Sequence, residues 1–524
     1  MASEAQITQR EIVSRNPATG EVLGRFDCAT VADVRAAVLN ARDAQAEWGV
    51  LPARERLKVL RRFQRLLQEG KTEVAQLITR ETGKPYVEAL LTEVLVVLDT
   101  CRFLVESGPA MLRDEAVPHG NLIMKAKVGQ VRREPWGVVG VISPWNYPFS
   151  IPAGEVLAGL AAGNAVVLKP SEYTALTAVE LRGLLARAGL PKNLFRVVLG
   201  DGVTGAALVE APVDKIFFTG SVATGRRVAQ AAAARLIPVV LELGGKDAMV
   251  VLDDADLDVA SSAAVWGAFV NAGQTCLSVE RCYVQRRQYE HFLELCLAKT
   301  QRLRIGNGMH RATDVGPLIH EGQLRIVEEH VAEARLHGAR ILTGGHRLPD
   351  LGANFYAPTL LANVDHSMQI MRDETFGPAL PVMPFEDEEE VVRLANDSEF
   401  GLSASVWTGD SARGEKLAAR LDAGTVMIND VVSCFGISEA PHGGVKSSGL
   451  GRTRGRLGLE EMVRAKYIDS DRLPYTKKVW WYGYGPEFGP QMEGFVDFLF
   501  APSLLRRVRG GLRSFAAFFR EGRL

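Results

Sequence analysis

Cysteine is scarce in this chain and widely scattered, with six residues, at 28, 101, 276, 282, 296 and 434, in 524. No two of them form a Cys-x-x-Cys pair, which excludes a dense disulfide scaffold and a paired-thiolate metal site, so no metal is expected and a reducing cytoplasm is the expected setting. Histidine is scarce too, and the residue nearest Cys276 is His291, so no local Cys-His catalytic pair is written. A surplus of charge of either sign is missing: the formal net charge is -1, and nothing global calls for nucleic acid or an acidic partner. Also absent is any run of about 18 apolar residues that could span a membrane as a helix. The opening MASEAQITQREIVSRNPATG lacks the basic and then apolar pattern of a secretory signal.

What is there reads as a large globular protein, 47% hydrophobic and 23% charged, long enough for two or three domains. From Val31 to about Phe103, apolar residues recur at three- and four-residue intervals, which predicts helices with solvated Arg and Glu faces. From Lys125 onward the pattern changes to short apolar runs, in GVVGVISPWNYP, GNAVVLKPSE, NLFRVVLGDG, VDKIFFTGS and PVVLELGGKD, separated by helical stretches. Strand and helix alternate, which predicts a doubly wound, largely parallel sheet. A second such series from about Asp247 to Pro441 includes ARILTGG, ALPVMPF, SASVWTG and GTVMIND. No fixed-period repeat or low-complexity block interrupts them.

Two glycine loops are candidates for a phosphate cradle. GDGVTG, Gly200 to Gly205, matches G-x-G-x-x-G, but no acidic residue follows about 20 positions on, so a tight turn is an equal reading. In FFTGSVATGRRVAQ a strand runs into Gly220 and Ser221 and a helix opens near Val222, whose free N–H groups could hold an anion. The bland alternative is a plain Ser N-cap. Cys276 stands in GQTC, where a small buried thiol is the bland reading and a nucleophile the sharp one.

Taken in order, PWNYP (144–148), KPSE (169–172), FTGSVATG (218–225), LELGGKD (241–247), GQTC (273–276), ETFGP (374–378) and GGVKSSGLG (443–451) resemble the aldehyde dehydrogenase superfamily over roughly residues 10 to 470. The resemblance implies an α/β fold of two doubly wound open-sheet domains, one Rossmann-like, plus a small β oligomerisation element. Its boundaries would be 1–120 and 137–244 for NAD binding, 245–443 for catalysis, 444–459 for a return segment, and 121–136 with 460–471 for oligomerisation strands. It implies NAD-dependent oxidation of an aldehyde to its carboxylic acid, with Cys276 as nucleophile, Asn146 as oxyanion donor and Glu242 as base for the deacylating water. By the same resemblance the cofactor residues are Ser143, Pro144, Trp145, Lys169, Glu172, Gly202, Gly220, Ser221, Gly225, Leu243, Glu374 and Phe376. A carboxylate at Glu172 accepts from a ribose 2'-hydroxyl and repels a 2'-phosphate, so NAD is expected, with NADP the alternative. The partners implied are a small-molecule aldehyde and further copies of the chain, in a homodimer or homotetramer.

Two rival readings follow the same scaffold: a coenzyme A-acylating relative, against which Glu242 argues, and a non-catalytic binding protein, against which Cys276, Glu242 and Asn146 together argue. The pattern around VISPWNYPF and SVERCYV looks somewhat like bacterial succinate-semialdehyde dehydrogenases, which would need an Arg placed for the second carboxylate. DDADLD (253–258) imitates an EF-hand opening but lacks its Gly and Glu, and reads better as a helix start. Cys282 is read as packing rather than a resolving thiol. His442 departs from the family, which usually has an aromatic there.

The extension over 472–524 is the larger departure. In APSLLRRVRGGLRSFAAFFREGRL, Leu504, Leu505, Val508, Leu512, Phe515, Phe518 and Phe519 fall on one helical side, and Arg506, Arg507, Arg509, Arg513 and Arg520 on the other. Gly510 and Gly511 cost about 1 kcal/mol each against Ala, so such a helix needs a surface to lie on. That surface is expected to be either protein, the chain's own catalytic domain or a neighbouring subunit near the substrate mouth, or an anionic membrane face, the last making the protein peripheral to a membrane.

Overall fold

The computed structural model describes residues 10–121, 124–475, 478, 480–486 and 488–520, without the side chains of 515–520. The chain divides into two units, Met1–Arg113 with Arg133–Arg464, and Asp114–Arg132 with Ala465–Leu524.

The first unit holds two open sheets, each with its own core. Strands Val138–Ile142 and Ala165–Lys169 are buried along their whole length, as continuous β-branched runs must be when helices cover both faces. Edge to edge, the first sheet runs Phe195–Val197, Ala165–Lys169, Val138–Ile142, Lys215–Thr219, Val239–Glu242 and Gly449–Leu450. All pairs are parallel except the last. The order reverses beside Val138–Ile142, because the chain crosses first to Ala165–Lys169 on one side and later to Lys215–Thr219 on the other. Ligands of open α/β sheets bind at such a switch point, beyond the carboxyl ends of the strands. Phe63, Leu60, Val141, Leu168 and Phe217 pack the core between this sheet and its helices, among them Ala53–Glu69, Leu95–Met111 and Ser150–Ala162.

The second sheet is seven-stranded: Arg340–Thr343, Thr359–Ala362, Ala379–Phe385, Val279–Gln285, Asp247–Val251, Ser403–Trp407 and Thr425–Ile428. Only the first pair is antiparallel. Tyr283, Phe292, Phe385 and Met249 lie in its core, and Cys282, wholly buried on the strand Val279–Gln285, is packing there. The stretch that imitates a calcium motif is an N-cap: Asp256 accepts from the N–H groups of Asp258 and Val259 at the start of Leu257–Phe269.

The predicted helices and strands of both series are present. The runs contribute Lys215–Thr219, Val239–Glu242, Ala379–Phe385 and Thr425–Ile428 at the places expected. A hairpin, Glu11–Arg15 with Val22–Asp27, had no expectation attached to it.

In the second unit, Lys127–Pro135 lies between Glu115–Val117 and Val463–Asp471 in a three-stranded sheet. Lys127 pairs with Asp469, and the Tyr467 ring lies over Gly129. Leu122 and Ile123, part of the strand-like stretch beginning at Asn121, lie outside the described residues. The tail forms two helices, Phe488–Phe500 and Leu504–Arg520, where the sequence predicted only the second. Among the described residues no helix is long and apolar enough to cross a membrane.

The return strand Gly449–Leu450 pairs with Glu242 and Leu241, and only a residue without a Cβ fits at its first position. Gly449 has φ +154°, and a Cβ there would stand 2.2 Å from the Leu241 carbonyl oxygen. Gly449→Ala is therefore expected to destabilise the protein by about 2–3 kcal/mol, through strain and lost pairing, and to lower the thermal unfolding midpoint. Calorimetry of the two proteins side by side checks this.

Candidate active site

The chain leaves the carboxyl edge of the first sheet at Glu242 and, after Leu243–Lys246, enters the second sheet at Asp247. The loop carrying Cys276 precedes the strand Val279–Gln285, and the loop carrying Glu374 and Phe376 precedes Ala379–Phe385. The carboxyl edge of one sheet thus faces the amino edge of the other. Between them lies a cavity of about 330 Å³, lined among others by Asn146, Glu242 and Cys276.

The loop carrying Cys276 is strained and heavily tied. Asn271 and Ala272 both take left-handed backbone, φ 53° and 56°, followed by Gly273 at 76°. Left-handed geometry costs a non-glycine residue roughly 1–2 kcal/mol. Hydrogen bonds hold it: the Asn271 N–H donates to Glu88 (2.9 Å), its amide donates to the carbonyls of Asn146 (3.0 Å) and Gln274 (3.1 Å), and the Gln274 amide donates back to the Asn271 carbonyl. The Tyr147 hydroxyl meets that of Thr275 at 2.7 Å.

Asn146 donates from its side-chain amide to the Gln274 carbonyl at 3.1 Å, while its Oδ1 has no partner among the described residues. One amide hydrogen therefore remains for another acceptor. Its backbone is fixed by Lys84, whose Nζ donates to the Asn146 carbonyl (2.7 Å) and to Glu93 (2.8 Å), both side chains being fully buried. Glu93 also accepts from the N–H groups of Phe149 and Ser150. Sequence reasoning missed Lys84, in the loop after the helix Lys71–Thr82, and Glu88 and Glu93, on the helical elements that follow, all far from every motif. Their signal is faint: Lys84 and Glu93 are charges that the apolar pattern around them would bury.

Glu242 is buried, and burial pushes its carboxyl well above the ordinary range. One oxygen accepts from Thr453 Oγ1 at 3.2 Å, and the other has no hydrogen-bond partner among the described residues. His442 Nε2 stands 3.8 Å from it, and burial lowers that imidazole to about 3, so it is neutral. The cavity also holds Glu155, which burial raises to about 8. The half-buried Cys276 thiol is pushed up by loss of solvent, and Asp247, Glu374 and Glu242 act in the same direction. At rest it is a thiol, and its ionisation requires help.

The remaining expected residues divide in two. Pro144, Trp145, Gly220, Ser221, Leu243, Glu374 and Phe376 line the same cavity. Trp145 meets Phe376 edge-on at 5.5 Å, and Glu374 accepts from the Gly245 N–H at 3.1 Å and is raised by burial to about 8. A buried pair, Lys246 with Glu280, holds this loop, because Glu280 also accepts from the N–H groups of Thr375 and Phe376. Ser143, Lys169, Glu172, Gly202 and Gly225 do not line it; Ser143, Lys169 and Glu172 follow the first-sheet strand ends, while Gly202 and Gly225 stand on the helices beyond them. Lys169 is buried 3.6 Å from the half-exposed Glu172, and burial lowers it. Gly225 lies against Leu243.

Both glycine loops open capped helices. Asp201 of GDGVTG accepts from the Val203 N–H and pairs with Arg10, while Ser221 accepts from the Thr224 N–H at 3.4 Å. The residues fit a dinucleotide: Ser143 Oγ is buried and unpartnered among the described residues, and the helix Val222–Ala233 opens at the strand ends beside the switch point.

Comparison with known proteins agrees with this geometry. A family model described as the aldehyde dehydrogenase family matches residues 4–468. The chain belongs to the aldehyde dehydrogenase family. It is 42% identical to the 4,4'-diapolycopene aldehyde oxidase of a Methylomonas species, over 97% of this chain and 95% of that one. It is 40% identical to a putative NADP-dependent succinate-semialdehyde dehydrogenase of Mycobacterium ulcerans, over 87% of this chain and 88% of that one. Among solved structures it superposes on a NAD-dependent aldehyde dehydrogenase from Sinorhizobium meliloti with a TM-score of 0.86 and 36% identity, over 90% of this chain and 93% of that one. The protein is thus an NAD(P)-dependent oxidoreductase that converts aldehydes to acids.

Gly273 is where the two loops of the site touch. Its φ is +76°, and a Cβ would stand 2.1 Å from the Gly377 carbonyl oxygen. Gly273→Ala is expected to push the Cys276 and Glu374 loops apart and to lower kcat about 100-fold, the scale of an ångström-sized misplacement. Steady-state kinetics beside a circular dichroism spectrum that shows the fold retained checks this.

Proposed function

We propose that Cys276, Glu242 and Asn146 carry the oxidation, and that the preferred substrate is a long, apolar aldehyde. The observation that supports the assignment is that all three side chains line one cavity. Cys276 passes its proton through water to Glu242 and on to solvent, its Sγ adds to the aldehyde carbon, and the developing oxyanion takes hydrogen bonds from the free amide hydrogen of Asn146 and the N–H of Cys276, each worth about 3–4 kcal/mol. The dinucleotide, when bound, supplies the hydride acceptor and a positive ring near the thiol. Glu242 then takes a proton from water, which attacks the Cys276 thioester and releases the acid. Because burial raises its carboxyl, Glu242 is protonated and inactive at low pH, and deacylation speeds up as pH rises past the ordinary carboxylate range. Lys169, Glu172, Ser143 and the start of the helix Val222–Ala233 would hold the dinucleotide, with Glu374 and Phe376 on its nicotinamide half. Glu172 beside Lys169 supports NAD over NADP.

The substrate reading rests on the cavity walls. Leu104, Ile151, Phe217, Leu459 and Met462 line the cavity, and Gly154 and Ala158, one turn apart on Ser150–Ala162, leave it wide. A Cβ on Gly154 would meet nothing within 4 Å. The relative acting on 4,4'-diapolycopene aldehyde, matched along 97% of the chain, supports the same class. A second reading has its own observation: Arg454 lines the cavity, half-buried over the Phe435 ring at 4.4 Å, and its Nε is unpartnered among the described residues. It is the kind of cation that the carboxylate of a semialdehyde would need.

The exposed outer strand Val463–Asp471 supports a homo-oligomer, dimer or tetramer, by edge pairing. A cytoplasmic setting, at or near the membrane that holds such an aldehyde, suits this substrate.

Cys276→Ala is expected to lose NADH production entirely, and Glu242→Gln to give a burst of NADH and then stall, in stopped-flow traces taken without coenzyme A. Steady turnover by either variant would reject its assigned role. Gly154→Trp should cut kcat/KM for long-chain aldehydes about tenfold or more and spare short ones, since filling the cavity removes apolar contact worth about 0.8 kcal/mol per methylene. Preference for succinic semialdehyde, lost in Arg454→Met, would favour the second reading.

A further inference from the structure

The tail helix Leu504–Arg520 has three distinct sides at about 100° per residue. One side packs: Gly510, Gly511 and Ser514 are buried against Phe488–Phe500. The contact is backbone to backbone, since a Cβ on Gly510 would stand 2.4 Å from the Gly494 carbonyl oxygen, and Ser514 Oγ donates to the Gln491 carbonyl at 2.6 Å. The glycines that weaken this helix are therefore its seam with the other tail helix. The surface under this side is thus the other tail helix, which neither reading of the sequence named.

That packing leaves the apolar side uncovered. Leu504, Leu505, Val508 and Leu512 are 78, 61, 51 and 70% exposed, and they fall within one third of the helix circumference. The third side is cationic: Arg506, Arg509 and Arg513 are exposed in the adjoining sector, and the sequence of this helix contains no acidic residue. Asp497 of the companion helix, exposed like Glu493, sits beside Gly510, roughly opposite Val508 and about 40° from Arg506, so it meets the far edge of the cationic sector and not the edge, at Arg509, that borders the leucines. Ahead of the hairpin, Trp481, Tyr482 and Tyr484 are exposed as well. Phe515, Phe518, Phe519 and Arg520 have side chains outside the described ones.

We infer that this hairpin is a docking surface for an anionic lipid bilayer. Leucine and valine enter the boundary between headgroups and acyl chains, arginines flank them among phosphates, and the aromatics suit the same depth. Charge complementarity selects this occupant: a protein interface of the same apolar size depletes charge near its centre, whereas here a helix with no acidic residue of its own sets arginines along the edge of its leucines. With a net charge of -1 for the whole chain, the cations are a local feature. The inference stands independently of which aldehyde is oxidised.

The test is co-sedimentation of the full chain with vesicles of phosphatidylglycerol mixed with phosphatidylcholine, against phosphatidylcholine alone, with no substrate present. Binding is expected only to the anionic vesicles. It should weaken roughly tenfold or more at high salt and in Arg509→Glu/Arg513→Glu, and be lost in Val508→Asp/Leu512→Asp. NADH production from a short soluble aldehyde and mass by light scattering should stay unchanged in both variants, which shows that they fold. Three results would each overturn the inference: no sedimentation of the full chain, undiminished sedimentation of Val508→Asp/Leu512→Asp, or a smaller assembled mass in that variant, which would make the face a subunit interface. Loss of NADH production in the unaltered protein would instead count against the proposed chemistry, whatever the vesicles show.

Discussion

Two loops approach each other backbone to backbone at Gly273 and Gly377, and the chemistry of this protein depends on that distance. The Cys276 loop is the amino entry to one strand of the second sheet, and the Glu374 loop is the entry to its neighbour. With a side chain between them, the thiol would move away from Glu242 and Asn146, which the first sheet holds. The contact is maintained against strain, since Asn271 and Ala272 remain left-handed. A dense set of buried hydrogen bonds over-determines them, as happens where strain serves a site.

The ties come from charges placed where charge is costly. Lys84 and Glu93 lie fully buried and satisfy each other, the Asn146 carbonyl and two helix N–H groups. Lys246 and Glu280 do the same for Thr375 and Phe376. A buried ion pair is weak evidence of stability, since removing both partners can be neutral. What these pairs provide here is direction: each charge has several fixed partners, so the loops have one arrangement. Around that rigid frame stand groups left without partners among the described residues, the second oxygen of Glu242 and Oδ1 of Asn146, and both residues line the cavity.

Charge is used differently at the two ends of the molecule. In the cavity, carboxyls are buried and raised, so that the site is less negative than its composition suggests. On the tail, arginines stay exposed. The first arrangement suits proton transfer in a dry pocket, and the second suits attraction to phosphate at a wet surface.

The sequence alone determined the alternation of strand and helix, because buried parallel strands must be continuous apolar runs, and its short motifs singled out Cys276, Glu242 and Asn146, which the fold brings to one cavity. It also contained the amphipathic pattern of Leu504–Arg520. It did not disclose Lys84, Glu88 or Glu93, since a buried charge looks like a surface charge until its partners, separated by 62 residues between Lys84 and Asn146 and by 183 between Glu88 and Asn271, are brought together. Nor did it show that His442 stands beside Glu242, that Arg454 reaches the cavity, or that Gly510 and Gly511 are a seam rather than a weakness. Those facts belong to tertiary structure, because they depend on which backbones approach within contact distance, and local patterning carries no information about that.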